Sequence, residues 1–171
     1  MKGYIQVYTG NGKGKTTAAI GLSVRAAGAG LNVFIAQFIK MGDYSEIKSL
    51  KKLSDRITIK QFGLGRFIKG KPSEDDIEAA QKGLHAVKSA ILSRDYDVVI
   101  LEEGNVAIAI GLFSANDIIK ILNLKPENVE VVITGRNAAP EIMDKADLVT
   151  EMKDIKHYFN KGVAARTGIE K

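Results

Sequence analysis

Near its amino terminus the chain reads TGNGKGKTT, from Thr9 to Thr17. The residues before this segment, 4–8, alternate between apolar and polar side chains and predict a buried strand. The residues after it, 18–27, are typical of a helix. Strand, glycine-rich loop and helix in this order indicate a phosphate-binding loop, because glycines allow a sharp turn that points several backbone N–H groups at one anion. The N-terminal end of the helix adds positive partial charge.

The side chains of this loop are of the types that a bound polyphosphate requires. Lys15 is expected to contact phosphate oxygens, and the Thr16 hydroxyl is expected to complete the shell of a magnesium ion. The loop departs from the pattern G-x-x-x-x-G-K-[ST] at its first position, where Thr9 replaces glycine and Gly10 is the first glycine. A glycine-rich turn without a ligand is the alternative, but it gives no reason for the lysines and threonines.

Composition limits the classes of protein to consider. The chain has 171 residues, 45% of them hydrophobic, which predicts one globular domain over residues 1–171. It has no cysteine, which excludes disulfides, thiolate metal sites and a cysteine nucleophile. We find no apolar run that could span a bilayer and no secretion signal, so a cytoplasmic location without a membrane partner is expected. The net charge of +5 comes from dispersed lysines, and no nucleic-acid partner is expected.

Strand and helix patterns alternate along the whole chain. Strands are predicted at 4–8, 31–38, 57–62, 96–101, 129–134 and 146–151, the last at a sheet edge. Helices are predicted between them, including two with serine caps at Ser73 and Ser114. No element is predicted between Glu103 and Ser114. The alternation predicts right-handed parallel crossovers and an α/β fold, with a mainly parallel twisted sheet of about six strands, helices on both faces, and the P-loop NTPase (RecA-like) type.

Ligands of such sheets bind at the carboxyl ends of the strands, which places the glycine loop, residues 37–40, the acidic pair Glu102-Glu103 and Arg136 on one rim. The acidic pair follows an apolar strand, as a magnesium-side carboxylate does, and strand alternation allows only one of the two to point inward. Two solvated acids are the alternative. Arg136 could either contact a phosphate or be an ordinary surface charge. His157 could either contact a ligand or lie in an interface.

The segment 63–72 is predicted to be either a binding lid or a plain linker. It contains Phe67 among glycines and basic residues. Elsewhere we find no Ser–His–Asp arrangement and no two-histidine metal motif. General acid–base chemistry therefore has no evident agent except the carboxylates.

Taken together, these segments resemble the ATP:corrinoid adenosyltransferases of cobalamin biosynthesis and salvage. The matching stretches are residues 8–19, 25–28, 37–40, 97–103, 134–136, 146–152, 156–157 and 162–170. A threonine in first place of the glycine loop is typical of that family, and the tail ARTGIE at 165–170 is a specific signature of it. Two departures stand out: the family's Leu-Asp-Glu is here Leu101-Glu102-Glu103, and its aromatic segment after the third strand has no tryptophan here, with Phe67 in its place.

The resemblance implies transfer of the 5′-deoxyadenosyl group of ATP to the Co(I) of a reduced corrinoid, with release of triphosphate. The acceptor would be cob(I)alamin or cob(I)yrinic acid a,c-diamide, and Mg²⁺ or Mn²⁺ would be required. Co(I) is itself a strong nucleophile, so no general base is needed. A homodimer is expected, and a flavoprotein is one candidate reductant. The alternatives are a generic P-loop ATPase or small-molecule kinase, and a nucleotide-gated binding module without turnover.

The resemblance also implies roles for individual residues. The expected ATP-binding residues are Gly10, Asn11, Gly12, Lys13, Gly14, Lys15, Thr16, Thr17 and Arg25. The expected catalytic residues are Lys13, Lys15 and Glu103. The expected metal ligands are Thr16 and Glu103. The expected corrinoid-binding residues are Phe67, Arg136 and His157.

Overall fold

The computed structural model of the chain describes residues 2–53 and 55–170. The strands are β1 (Ile5–Thr9), β2 (Val33–Phe38), β3 (Ile57–Phe62), β4 (Val98–Glu102), β5 (Glu130–Thr134) and β6 (Leu148–Glu151). The α-helices are α1 (Lys15–Gly28), α2 (Ser45–Leu50), α3 (Glu74–Ser93), α4 (Gly104–Ala109), α5 (Ala115–Leu122) and α6 (Pro140–Lys145). Short 3₁₀ turns cover Lys51–Leu53 and Tyr158–Lys161.

The six strands form one sheet in the order β3-β2-β4-β5-β1-β6. Every neighbouring pair is parallel, which confirms the predicted sheet and places β6 at an edge, as expected. Parallel strands have their carboxyl ends at the same side of the sheet. The glycine loop after β1 and the acidic pair at the end of β4 are therefore close together, with only β5 between their strands.

Helices cover both faces of the sheet, because the strands are apolar on both faces. Alternate residues of β2 belong to different clusters: Val33 and Ile35 pack with α1 residues, whereas Phe34 and Phe38 pack with α3 residues. Burial of each such side chain contributes about 1.5–3 kcal/mol to stability. The two clusters hold the sheet rigid beneath its carboxyl-end rim. Within residues 2–53 and 55–170, no helix is both long and apolar enough to cross a lipid bilayer.

Both predicted serine caps are confirmed. Ser73 and Ser114 begin α3 and α5 with capping boxes that pair them with Asp76 and Asp117. Helix α4 was not predicted. Its start lies at Glu103, which has a left-handed backbone and no side-chain cap, and the Glu103 N–H donates instead to Thr134 Oγ1 of β5 at 3.0 Å. A start fixed by a neighbouring strand has no local sequence signal.

Candidate active site

The glycine loop joins β1 directly to α1 and curls around one lysine. Gly10 (φ 95°) and Gly14 (φ 120°) have left-handed backbone angles that suit glycine. The Lys15 ammonium donates to the carbonyl oxygens of Gly10 and Gly12, both at 2.7 Å. Burial lowers the Lys15 pKa, and the nearby Arg136 guanidinium lowers it further, whereas Glu103 opposes the shift. The loop thus holds a positive charge at the amino end of a helix, where an anion binds well.

The loop glycines also have a packing role. A Cβ added to Gly10 would lie 2.4 Å from the Met152 carbonyl oxygen, and one added to Gly12 would lie 2.7 Å from it. The Gly12 N–H donates to the same oxygen at 2.7 Å. The chain that follows β6 therefore needs both glycines to pack against the loop. Sequence reasoning had assigned these glycines to phosphate binding alone.

The two acids at the carboxyl end of β4 point in different directions. Glu102 is 1% exposed, and its Oε1 accepts a hydrogen bond from Thr16 Oγ1 at 2.5 Å. Its Oε2 is buried and has no hydrogen-bond partner among the described residues. Burial raises the Glu102 pKa; Lys40 opposes this shift and Glu103 adds to it. Glu103 lines the open cavity instead, so the inward-pointing acid is Glu102.

A cavity of about 710 Å³ lies above the loop at the carboxyl-end rim. Most expected site residues line it: Gly12, Lys13, Gly14, Lys15, Thr16, Thr17, Glu103, Arg136 and His157. Gly10 and Asn11 belong to the loop but do not line the cavity. The His157 side chain also accepts a hydrogen bond from the Phe159 N–H at 3.1 Å, which begins the last 3₁₀ turn.

Two expected site residues lie away from this cavity. Arg25 is in the last turn of α1, ten residues beyond Lys15. At 1.5 Å per residue, this is about 15 Å along the helix axis. Phe67 is 84% exposed on the segment between β3 and α3. Neither side chain is among those that line the cavity.

The tail forms one wall of the cavity, a contact that sequence reasoning did not place. Lys13 of the loop donates to Glu170 Oε1 at 2.8 Å, and Arg166 contacts both Glu170 oxygens at 3.1 and 3.2 Å. Tyr158 donates to the same carboxylate. Hydrogen bonds from Arg166, then Lys13 and Tyr158, hold the Glu170 pKa well below its usual range. The signature at 165–170 thus attaches the tail to the glycine loop.

Thr9, the departure from the usual loop pattern, also has a structural role. It ends β1, is 7% exposed, and accepts a hydrogen bond from the Ala138 N–H at 3.2 Å through its Oγ1. Ala138 lies in the loop after β5, two residues beyond Arg136. Glycine could not make this bond, so Thr9 connects the glycine loop to the loop that carries Arg136.

The oxygen donors around Thr16 fit a magnesium ion. They are a hydroxyl, the Glu102 carboxylate with its unbonded buried oxygen, and the Glu103 carboxylate on the cavity side. In the part of the chain that the structure describes, no three His, Asp or Glu side chains form a metal-binding cluster. A small protein donor set is what magnesium in a nucleotide site requires, because phosphate oxygens and waters supply the other ligands.

The fold and the rim are consistent with an α/β domain of the phosphate-loop NTPase-like class. Comparison with known proteins is more specific. The model of the family "ATP:corrinoid adenosyltransferase BtuR/CobO/CobP" matches residues 1–170. The chain therefore belongs to the ATP:corrinoid adenosyltransferase family, and it is an enzyme of the transferase class.

Similar proteins include corrinoid adenosyltransferases from three bacteria. The one from Salmonella typhimurium is 35% identical over 169 residues, which cover 99% of this chain and 86% of the relative. The one from Escherichia coli K12 is 33% identical, with the same coverage. The one from Pseudomonas aeruginosa is 31% identical over 170 residues, or 99% of this chain and 84% of the relative. In each case the matched region spans nearly the whole of this chain.

Proposed function

We propose that this chain transfers the 5′-deoxyadenosyl group of ATP to the Co(I) of a reduced corrinoid and releases triphosphate. One observation carries the proposal: Lys15, held by the glycine loop, and Thr16, bonded to the buried Glu102 carboxylate, line the same cavity. That arrangement suits a magnesium-bound polyphosphate, and membership of the adenosyltransferase family favours departure of the whole triphosphate over cleavage of the terminal phosphate. Cob(I)alamin and cob(I)yrinic acid a,c-diamide are both suitable acceptors.

The reaction balances without proton transfer. The Co(I) electron pair forms a Co–C bond at the 5′ carbon, and the bond between that carbon and the phosphate oxygen breaks. Its electrons leave with triphosphate. The protein must therefore align the two reactants and stabilise negative charge on the leaving group. We assign the second task to the loop N–H groups and to Lys13 and Lys15, which line the cavity.

Thr16 and the acidic pair would hold a magnesium or manganese ion, which supplies further charge neutralisation for the phosphate oxygens. The family resemblance assigns Glu103 to the metal. The contact of Thr16 with Glu102 favours Glu102 as the inner carboxylate, and the position of Glu103 on the cavity side favours a direct role toward the nucleotide. Both carboxylates belong to the proposed site.

The corrinoid is proposed to approach from the open side of the cavity. Arg136 and His157 line that cavity. Phe67 presents an exposed ring on the segment between β3 and α3, and an exposed aromatic ring is a suitable contact for a large flat ligand. A homodimer, a flavoprotein reductant and a cytoplasmic location stay predictions, as does an ATP contact for Arg25.

The test is to incubate the protein with ATP, Mg²⁺ and chemically reduced cobalamin, and to follow the corrinoid spectrum and the phosphate products. A photolabile alkylcorrinoid and intact triphosphate are expected in equal amounts. ADP and orthophosphate with an unchanged corrinoid would instead indicate an ATPase or kinase. Tight ATP binding without any product would indicate a binding module.

A further inference from the structure

The segment after β2 contains a strained turn. Ile39 has a positive φ of 69°, and the Lys40 N–H donates to the Phe38 carbonyl at 2.7 Å. This three-residue turn is rare, and a β-branched residue at its centre is especially unfavourable. Such strain persists only where the surroundings fix the conformation, and it is concentrated at functional sites.

Two contacts with the end of β3 fix this turn. Gly63 lies so close that an added Cβ would be 2.3 Å from the Ile39 carbonyl oxygen and 2.8 Å from the Lys40 nitrogen. Gln61 holds Gly42 from both sides: its amide oxygen accepts from the Gly42 N–H, and its amide nitrogen donates to the Gly42 carbonyl, both at 3.2 Å. The rigid sheet therefore sets the path of the turn on both sides of Lys40.

The turn directs Lys40 to the acidic pair. The ammonium lies 3.2 Å from Glu102 Oε1 and 3.7 Å from Glu103 Oε1. Thr16 Oγ1 donates to the same Glu102 oxygen. An ammonium and a hydroxyl thus converge on one carboxylate oxygen, next to the donors that suit a magnesium ion. The Lys40 side chain is 27% exposed and lines the cavity, so its flexible stem can turn toward a ligand there.

We propose that Lys40 is a triphosphate-binding residue that acts as a mobile counter-ion: it pairs with Glu102 until a divalent cation takes that position, and then turns its ammonium to the phosphate oxygens. Two cations close to one carboxylate oxygen repel each other, which drives the exchange. The released ammonium then stabilises the triphosphate. The inference rests on the proposed function for the identity of the ligand.

The inference predicts two effects of opposite sign. Lys40→Gln removes a competitor for the carboxylate, so Mn²⁺ alone binds about tenfold more tightly to the variant, the scale of one partly buried charge contact. The same change removes a phosphate contact, so inorganic tripolyphosphate binds about tenfold more weakly to the Mn²⁺-loaded variant. A lysine with only a structural role would not produce opposite shifts.

The measurements are electron paramagnetic resonance of free Mn²⁺ and calorimetric titration of tripolyphosphate. Lys48→Gln is the matched control, because Lys48 is an exposed lysine of α2 that pairs with Asp43 and not with the acidic pair. It should change neither affinity. Lys40→Arg keeps the charge and should recover part of the tripolyphosphate affinity. Shifts of the same sign in Lys40→Gln, or no shift in either titration, would overturn the proposal.

A second measurement uses the unaltered protein, so it does not depend on the folding of a variant. Acetylation by acetic anhydride, read by mass spectrometry, reports how free each lysine is. Mn²⁺ should increase acetylation of Lys40, and further addition of tripolyphosphate should decrease it, while Lys48 stays constant. If neither Mn²⁺ nor tripolyphosphate changes the acetylation of Lys40, the exchange is refuted.

Neither measurement uses a corrinoid, so the two proposals fail separately. Opposite shifts without corrinoid adenosylation would reject the proposed function and support the role of Lys40. Adenosylation with no opposite shifts would reject the role of Lys40 alone.

Discussion

Replacement of Gly63 by alanine should displace the turn that positions Lys40. The new Cβ would lie 2.3 Å from the Ile39 carbonyl oxygen, whereas ordinary contacts begin at 3.4 Å. One of the two backbones must move by about 1 Å, and neither is free to do so, because Ile39 is already in a strained turn and Gly63 follows directly after β3. Overpacking of this kind costs about 1–3 kcal/mol. For a chain of this length, that lowers Tm by roughly 2–12 °C.

The assay is thermal unfolding followed by circular dichroism, combined with the Mn²⁺ and tripolyphosphate titrations. Gly63→Ala should lower Tm and weaken tripolyphosphate binding together. Gly21→Ala is the control: a Cβ there meets no atom within 4 Å, and alanine is the better helix former in α1, so Tm should stay constant or rise. A Gly63→Ala protein with unchanged Tm and unchanged binding would refute the reasoning about the turn.

Three further predictions concern other parts of the site. Lys15→Ala should lower the adenosyl-transfer rate about a hundredfold or more, because one donor to the developing charge is lost, and undiminished turnover of the folded variant would contradict the assigned role. Phe67→Ala should raise the KM for the corrinoid about tenfold and leave the KM for ATP within about twofold, since the exposed ring is expected to contact only the corrinoid. Leu124→Ala, at another exposed apolar residue, is the control. Equal effects of Phe67→Ala on both KM values, or the same effect from Leu124→Ala, would reject the contact. The Glu170 carboxyl, followed by ¹³C NMR, should stay ionised below its ordinary pKa of 4.5, because Arg166, Lys13 and Tyr158 donate to it. Because its pKa is lower in the folded protein than in the unfolded chain, Glu170 stabilises the tail fully at any pH above 4.5. This stabilisation is lost as the pH falls through the pKa of the folded protein. A titration midpoint at pH 4.5 would disprove the network.

Local signals in the sequence predicted most of the fold. The bounds of β3 agree with the prediction, and both serine caps were predicted, although their reciprocal bonds with Asp76 and Asp117 were not. Helix α4 was missed because Glu103 has a left-handed backbone and bonds to Thr134 of β5, a strand that neighbours β4 in the sheet but is distant in the sequence. The order of the strands could not be read from local patterns either, because it depends on how the helices pack across the sheet.

The part of the candidate site that lies within one segment of the chain was predictable from the sequence. The glycine loop, Lys15 and Thr16 lie together because they are neighbours in the chain. Residues 37–40 were predicted to lie on the rim, but the contact of Lys40 with the acidic pair and the tail contact at Glu170 were not identified, since both depend on tertiary packing. Which of the two acids points inward also required the structure, because it is seen in the burial of Glu102 and in its hydrogen bond with Thr16.

The most direct test of the central claim is a crystal structure of the protein with Mn²⁺ and an unreactive ATP analogue. The triphosphate should lie along the N–H groups of residues 12–17, beside the Lys15 ammonium. The anomalous signal of manganese should lie next to Thr16 Oγ1 and the acidic pair. A polyphosphate bound elsewhere on the protein, with the glycine loop unoccupied, would contradict the account.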